Sequence, residues 1–262
     1  MSAAHGIVVE GLRKVFHQTG TGQAVVAIER LDFAIARGEM VAIVGQTGCG
    51  KSTFLNLLIG LDRPSAGRIA IDGKTPYGDF GDFRGRLAAV FQHDRLLPWR
   101  TALDNVRLGV EILGYSPEEQ DRRARTWLER LGLERFLGAY PHELSGGMRQ
   151  RVALARAFAL EPEFLLADEA FGHLDEVTAA ALRRTFLDLA RTEGNTAVLV
   201  THQLEEAIEM GGRILVFGKP ATLLADIRLK AAPAEDVSRL RTTIQRMLES
   251  NAPDPGVFRE RS

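Results

Sequence analysis

The chain has 262 residues, 45% of them hydrophobic, a formal net charge of −1 and a single cysteine. That is enough apolar material for one α/β core carrying an inserted subdomain, whereas the near-neutral balance lacks the basic excess that neutralising nucleic-acid phosphates demands, and nucleic acid is not expected as a partner. One thiol excludes an internal disulfide; no run approaches the ~18 to 20 apolar residues needed to cross a bilayer, and the opening MSAAHGIVVEGL lacks the layout of a secretory leader, so a cytosolic location is expected.

In chain order, Ile7 to Phe16 and Val25 to Ile35 read as strands joined by a turn at Gln18 to Gln23, which predicts a small antiparallel sheet. Met40 to Val44 is a short branched apolar run suited to a buried strand, and Ser52 to Ile59 carries apolar residues at helical spacing. Between them stands GQTGCGKS, Gly45 to Ser52, which fits G-x-x-x-x-G-K-[ST]. In that pattern glycines let backbone N–H groups wrap phosphates, Lys51 reaches the outer phosphates, and Ser52 offers its hydroxyl to magnesium. Gly45, Gln46, Thr47, Gly48, Cys49, Gly50, Lys51, Ser52 and Thr53 are therefore the expected ATP-binding set, with Mg2+ as the accompanying ion. Cys49, close to a helix N-terminus, is expected to be thiol-reactive and shielded by ATP.

Strand-like runs follow at Arg68 to Ile71 and Leu87 to Phe91, and then the texture turns helical from Thr101 to Leu137, with Ser116 and Glu119 at capping-box spacing. LSGGMRQR, Leu144 to Arg151, comes next. Ser145 reads as an N-cap, and Gly146 and Gly147 expose backbone amides ahead of a helix predicted over Met148 to Leu160, making a second anion site. Strand-like and helical runs then alternate through Phe217, the mark of a parallel sheet. The first of these strands ends in Asp168 and Glu169, two carboxylates at the sheet edge where α/β proteins bind ligands. Asp168 is placed by order to hold magnesium, and Glu169 to orient or deprotonate the attacking water.

Far more chain separates Lys51 from Asp168 than the ~30 residues of one βαβ unit, so a helical segment is inserted there. Two phosphate surfaces in one chain are best explained if each completes the other's site across a twofold dimer. The fold class expected is α/β: a P-loop NTPase core with a mainly parallel sheet, an N-terminal antiparallel β subdomain and an inserted helical subdomain at about 93–160. Residues 1–230 would form this domain, and 231–262 a C-terminal helix around Val237 to Leu248 and a frayed tail.

These motifs resemble those of the ATP-binding-cassette ATPases, whose signature LSGGMRQR nearly reproduces, with Met148 where glutamine is usual. The resemblance runs from about Ile7 to Asp226. It implies a head-to-tail dimer holding ATP between the glycine loop of one subunit and the signature subdomain of the other. It also implies roles for Gln92 (the glutamine linking magnesium and water to a transport partner), His202 (the switch histidine at the γ-phosphate), Asp175 (the aspartate that crosses the dimer) and Phe16 (an aromatic stacked on adenine, where a core or surface phenylalanine is the other reading).

The segment HDRLLPWRTALDNV, His93 to Val106, is similar to that of importers for nitrate, sulfonates, taurine and related small solutes. By that likeness Leu96, Leu97, Pro98 and Trp99 would dock integral-membrane permease subunits near Gln92 to Trp99, an extracytoplasmic solute-binding protein would act upstream, and the chain would sit peripherally on the cytoplasmic face of the cell membrane. The alternative for the LLPW knot is packing within the helical subdomain. Ala170, Gln203 and His173 depart from the family pattern. Ala170 removes a proline, which predicts a more mobile loop around Glu169. The alternative functions are an exporter ATPase and a weakly hydrolytic regulatory cassette.

Overall fold

The computed structural model describes residues 5–18, 20, 22–210, 212–229 and 234–253. The elements run β1 (His5–His17), β2 (Ala24–Ala36), β3 (Met40–Gly45), α1 (Lys51–Leu58), β4 (Ala66–Ile71), β5 (Leu87–Phe91), α2 (Ala102–Ile112), α3 (Pro117–Arg130), α4 (Gly146–Phe158), β6 (Phe164–Asp168), α5 (Glu176–Thr192), β7 (Thr196–Thr201), α6 (Leu204–Met210), β8 (Arg213–Phe217), β9 (Ala221–Arg228) and α7 (Ala234–Ser250). They form two compact units, residues 1–80 with 198–262, and residues 81–197. The tail after 253 lies outside the described residues.

In the first unit the strand order is β4-β1-β2-β9-β8-β3-β7. The alternating sequences of β1 and β2 pair antiparallel, as expected, with Val9 opposite Phe33 and Phe16 opposite Val25, and β4 adds to the free edge of β1. β3 and β8 pair in parallel from Val41 opposite Arg213 to Gly45 opposite Phe217, all five positions of β8 being buried. Sequence periodicity does not reveal β9. It runs antiparallel to β8 and parallel to β2, joining the antiparallel ribbon to the parallel strands. Its residues ATLLADIR mix two polar side chains and an arginine into a short run, so only the Gly218 to Pro220 turn before it signals a hairpin.

The short helix α1 is held by its apolar face. Phe54 sits between Phe33 of β2 and Phe217 of β8, with ring centroids 5.6 and 5.9 Å away. On the same sheet, Ile244 and Met247 of α7 pack against Val44, Ile214 and Val216, so the last helix is fixed by the strands that carry the glycine loop.

The second unit builds β5 and β6 as a parallel pair, Leu87 opposite Phe164 and Phe91 opposite Asp168. The helices α2, α3 and α4 occupy the chain between these two strands. Trp127 of α3 stacks on Phe158 of α4 at 4.9 Å, and Phe158 meets Phe186 of α5 edge-on at 6.1 Å. Ser116 caps α3 by accepting from the Glu119 amide at 3.3 Å. Glu119 does not complete a reciprocal box. Its carboxylate turns to Arg122 and Arg123, whose guanidiniums hold it down at about 2.

Phe54→Ala removes the ring between two strands and should cost about 3 to 5 kcal/mol. Denaturant unfolding of the variant is the check, and a loss under 1 kcal/mol would be incompatible with this packing.

Candidate functional site

The glycine loop owes its shape to close approaches that only glycine permits. A Cβ on Gly50, whose φ is 116°, would lie 2.3 Å from the Ala27 carbonyl oxygen, and one on Gly45 would lie 2.7 Å from Cys49 Sγ and 2.9 Å from the Phe217 carbonyl oxygen. The backbone therefore folds tightly against β2 and β8 and begins α1 at Lys51. Lys51 is buried, and its ammonium donates to the carbonyls of Gly45 at 2.8 Å and Gln46 at 3.1 Å, which holds the charge over the loop. No acidic residue occupies the first turn of α1, where the positive end of the helix dipole lies beside Ser52 and Thr53. Gln46, Thr47 and Gly48 are exposed.

Cys49 corrects an expectation. It is 1% exposed, and burial pushes its thiol up against the weaker opposing pull of Lys51. Position near a helix terminus is outweighed by desolvation.

His202 follows β7, the neighbour of β3 in the sheet. The turn carrying it is pinned by Thr201, whose hydroxyl donates to the buried Glu206 carboxylate at 2.5 Å and accepts from the Gln203 amide at 3.0 Å. His202 itself is exposed. Phe16, near the end of β1, is 42% exposed with Lys14 Nζ 4.7 Å from its ring centroid, so its face is at the surface and not in the core.

In the second unit Asp168 ends β6 opposite Phe91, which places Asp168, Glu169 and Gln92 at the carboxyl edge of one parallel pair. Glu169 takes a positive φ of 48°. The loop that bears it is anchored at Ala170 and at Phe171. Gln150, buried on α4, donates Nε2 to the Ala170 carbonyl at 2.6 Å and reaches the Phe91 carbonyl at 3.4 Å, while Phe171 is buried edge-on against Phe186. Where a proline would fix φ, a side-chain tether here holds the Ala170 carbonyl.

The LSGG segment starts α4 at Gly146, two residues earlier than expected, because Ser145 accepts from the Met148 amide at 3.3 Å and so closes the first turn there. Gly147 lies close under α5, where an added Cβ would sit 2.8 Å from the Thr178 methyl. Asp175 caps α5 by accepting from the Thr178 amide at 3.0 Å, a bond that holds its carboxyl below the usual range. His173 stacks on His93 at 4.8 Å.

The LLPW knot divides. Leu96 and Leu97 are half-buried, while Pro98 is exposed and Trp99 is 71% exposed, which excludes burial of Trp99 within its own subdomain. The turn that presents it is clamped by the fully buried Asn105, which accepts from the Leu97 amide at 2.7 Å and donates to the carbonyls of Leu97, Arg100 and Thr101. Asn105, Gln150 and Thr201 were not singled out in the sequence. The signal for Asn105 was an amide on the apolar stripe formed by Ala102, Val106 and Val110.

The chain was compared with known proteins. The "ABC transporter" family model matches residues 28–172. The taurine import ATP-binding protein of Pseudomonas aeruginosa is 40% identical over 241 residues, covering 90% of this chain and 89% of that protein. The nitrate import ATP-binding protein of a Synechocystis species is 38% identical over 235 residues, covering 89% and 86%. Among solved structures, the dimeric post-hydrolysis state of the ATP-binding cassette MJ0796 bound to ADP and Pi superposes with a TM-score of 0.76 at 34% identity, covering 86% of this chain and all of that one.

A maleimide should label Cys49 at least ~10-fold more slowly in the folded chain than in denaturant. Mass spectrometry of the labelled protein measures this, and equal rates would contradict the buried thiol.

Proposed function

The chain belongs to the ABC transporter family, and on that premise we propose that it is the ATP-hydrolysing subunit of an importer for a small solute of the taurine, sulfonate or nitrate type. The observation that carries this reading is the Gly45 to Ser52 loop, folded with Lys51 over its carbonyls, in a chain about 40% identical to named import ATPases along nine-tenths of its length. The exposed Trp99, held out by the Asn105 clamp, supports an importer over a free-standing ATPase. The tethered Glu169 loop favours hydrolysis over a regulatory cassette that only binds.

Among the described residues no three His, Cys, Asp or Glu side chains gather as a metal site of their own. Magnesium fits another way. It is held in such enzymes through one or two protein oxygens and the substrate's phosphates, and Ser52, Asp168 and Gln92 are oxygen donors of that kind. When bound, the ion would neutralise charge on the β- and γ-phosphates. Phe16 would stack on the adenine, and the amides from Gly45 to Thr53 would cradle the phosphates with Lys51 at their outer end. Glu169 would accept a proton from the attacking water, and His202 would contact the γ-phosphate as charge develops there.

In this reading Ser145, Gly146, Gly147 and Asp175 act on the ATP of a second ABC ATPase subunit, so closure is stabilised only while the γ-phosphate bridges the two chains. Hydrolysis removes that bridge and the dimer reopens. The movement would reach integral-membrane permease subunits through Gln92 and the Leu96 to Trp99 turn, with the chain held peripherally at the cytoplasmic face of the membrane and a solute-binding protein delivering cargo on the far side. No helix among the described residues is long and apolar enough to cross a membrane, which suits a subunit that docks on one.

Glu169→Gln should retain ATP, lower hydrolysis by ~10²- to 10⁴-fold, and accumulate as a dimer in light scattering. Monomer alone under saturating ATP would refute the shared-site reading. Separately, Trp99→Ala should lose co-purification with the permease subunits while keeping its fold by circular dichroism, and undiminished assembly and transport would remove the docking role.

A further inference from the structure

The carboxyl end of α7 does not stop at the surface of the sheet; it reaches the glycine loop. Gln46 Nε2 donates to the Leu248 carbonyl at 2.6 Å, supplying a partner to one of the orphan carbonyls that every helix end leaves. Asn251, with φ at 51°, turns the chain out of α7 in the left-handed conformation common after a helix. Its side-chain amide pairs with the backbone of Lys219 in both directions, accepting from the Lys219 amide at 2.7 Å and donating to the Lys219 carbonyl at 2.8 Å. Lys219 Nζ in turn donates to the Thr47 carbonyl at 3.3 Å. The contacts thus start at the loop, pass through the helix end, and return to the loop one residue further on.

Two features make this more than surface contact. The helix end is anchored from beneath by Ile244 and Met247, both buried on the strands that bear the loop. A Cβ on Gly218 would also come within 2.8 Å of Asn251 Oδ1, so glycine there is what lets the asparagine approach.

We propose that the Gln46–Leu248 and Asn251–Lys219 contacts form a clasp by which the end of α7 positions the glycine loop for ATP, making Asn251 a positioning residue for nucleotide binding although it lies outside every nucleotide motif. The clasp holds the side chain of Gln46 and the carbonyl of Thr47, adding to the bonds that Lys51 and the Cys49 amide make to the Gln46 carbonyl. Held, the loop keeps its amides turned toward the phosphates; released, it must be ordered by the nucleotide itself, which weakens apparent affinity. Chemistry at Glu169 is untouched, so the effect belongs to KM and to ATP affinity, not to kcat.

The inference rests on ATP occupying Gly45 to Ser52, and a Lys51→Ala control separates failure of that premise from failure of the clasp. The test measures binding of a fluorescent ATP analogue and steady-state ATPase on the full chain. Asn251→Ala should raise the ATP Kd and KM about 3- to 10-fold, the loss of one or two hydrogen bonds, with kcat within about twofold. Asn251→Asp, which still accepts from the Lys219 amide, should fall between wild type and alanine. Adding Asn251→Ala to Gln46→Ala should weaken binding less than the two single effects combined, because both contacts hold one helix end. A helix that only stabilises the fold would lower the melting temperature and leave Kd unchanged. An unchanged Kd in Asn251→Ala, with Lys51→Ala abolishing binding, overturns the clasp. Should Asn251→Ala not fold, Gly218→Ala, which crowds Asn251, carries the same expected rise in Kd, and an unchanged Kd there has the same overturning force.

Discussion

The structure depends on the glycine loop from Gly45 to Ser52, whose backbone must fold tightly against β2 and β8. At two positions of the loop that requirement cannot be met by a residue with a side chain. At Gly50 a single added carbon would strike the Ala27 carbonyl, and at Gly45 it would strike Cys49 and Phe217. The tightness is created by the parallel pairing of β3 with β8 and by the seating of α1 through Phe54. Loop geometry is thus a product of the core beneath it. The same compression explains Cys49, which is packed into the floor of the loop and buried, where its sequence position suggests reactivity.

A second design principle recurs in the other unit. Loop segments that look irregular are held by single buried amides. Gln150 ties the Ala170 carbonyl after the Glu169 turn, and Asn105 gathers the Leu97 to Thr101 turn that shows Trp99 to solvent. Buried polar side chains cost desolvation unless fully bonded. Here they satisfy backbone groups that a loop would otherwise leave unpaired. The result is loops with fixed form on a scaffold of strands and helices.

Much of this is legible in the sequence. Alternation gave β1 and β2, helical spacing gave α1 and α3 to α5, and the glycine, acid and histidine positions fell at strand ends because strand, loop and helix follow one another locally in the sequence. What stayed hidden depends on contacts between distant positions. The strand β9 has a mixed pattern and is defined by neighbours on either side, β8 and β2. The tether on Ala170 comes from Gln150, in a different motif, and nothing in the local sequence around Glu169 signals it. Ser145 is the cap its sequence position indicates, but α4 begins two residues before Met148 because the cap overrides the disfavour of glycine for helix interiors.

The central claim is that ATP is held between two copies of the nucleotide machinery, each chain giving its loop to one site and its LSGG segment to the other. Mixing two inactive variants tests it directly: Lys51→Ala, which spoils the loop, and Gly146→Asp, which spoils the signature by charge and bulk. If sites are shared, mixed dimers contain one doubly damaged and one intact site, and the mixture should recover about a quarter of wild-type ATPase activity from its random half of mixed pairs. If each chain builds its own complete site, the mixture will stay at the sum of the two variants alone, and the account of a shared site is wrong.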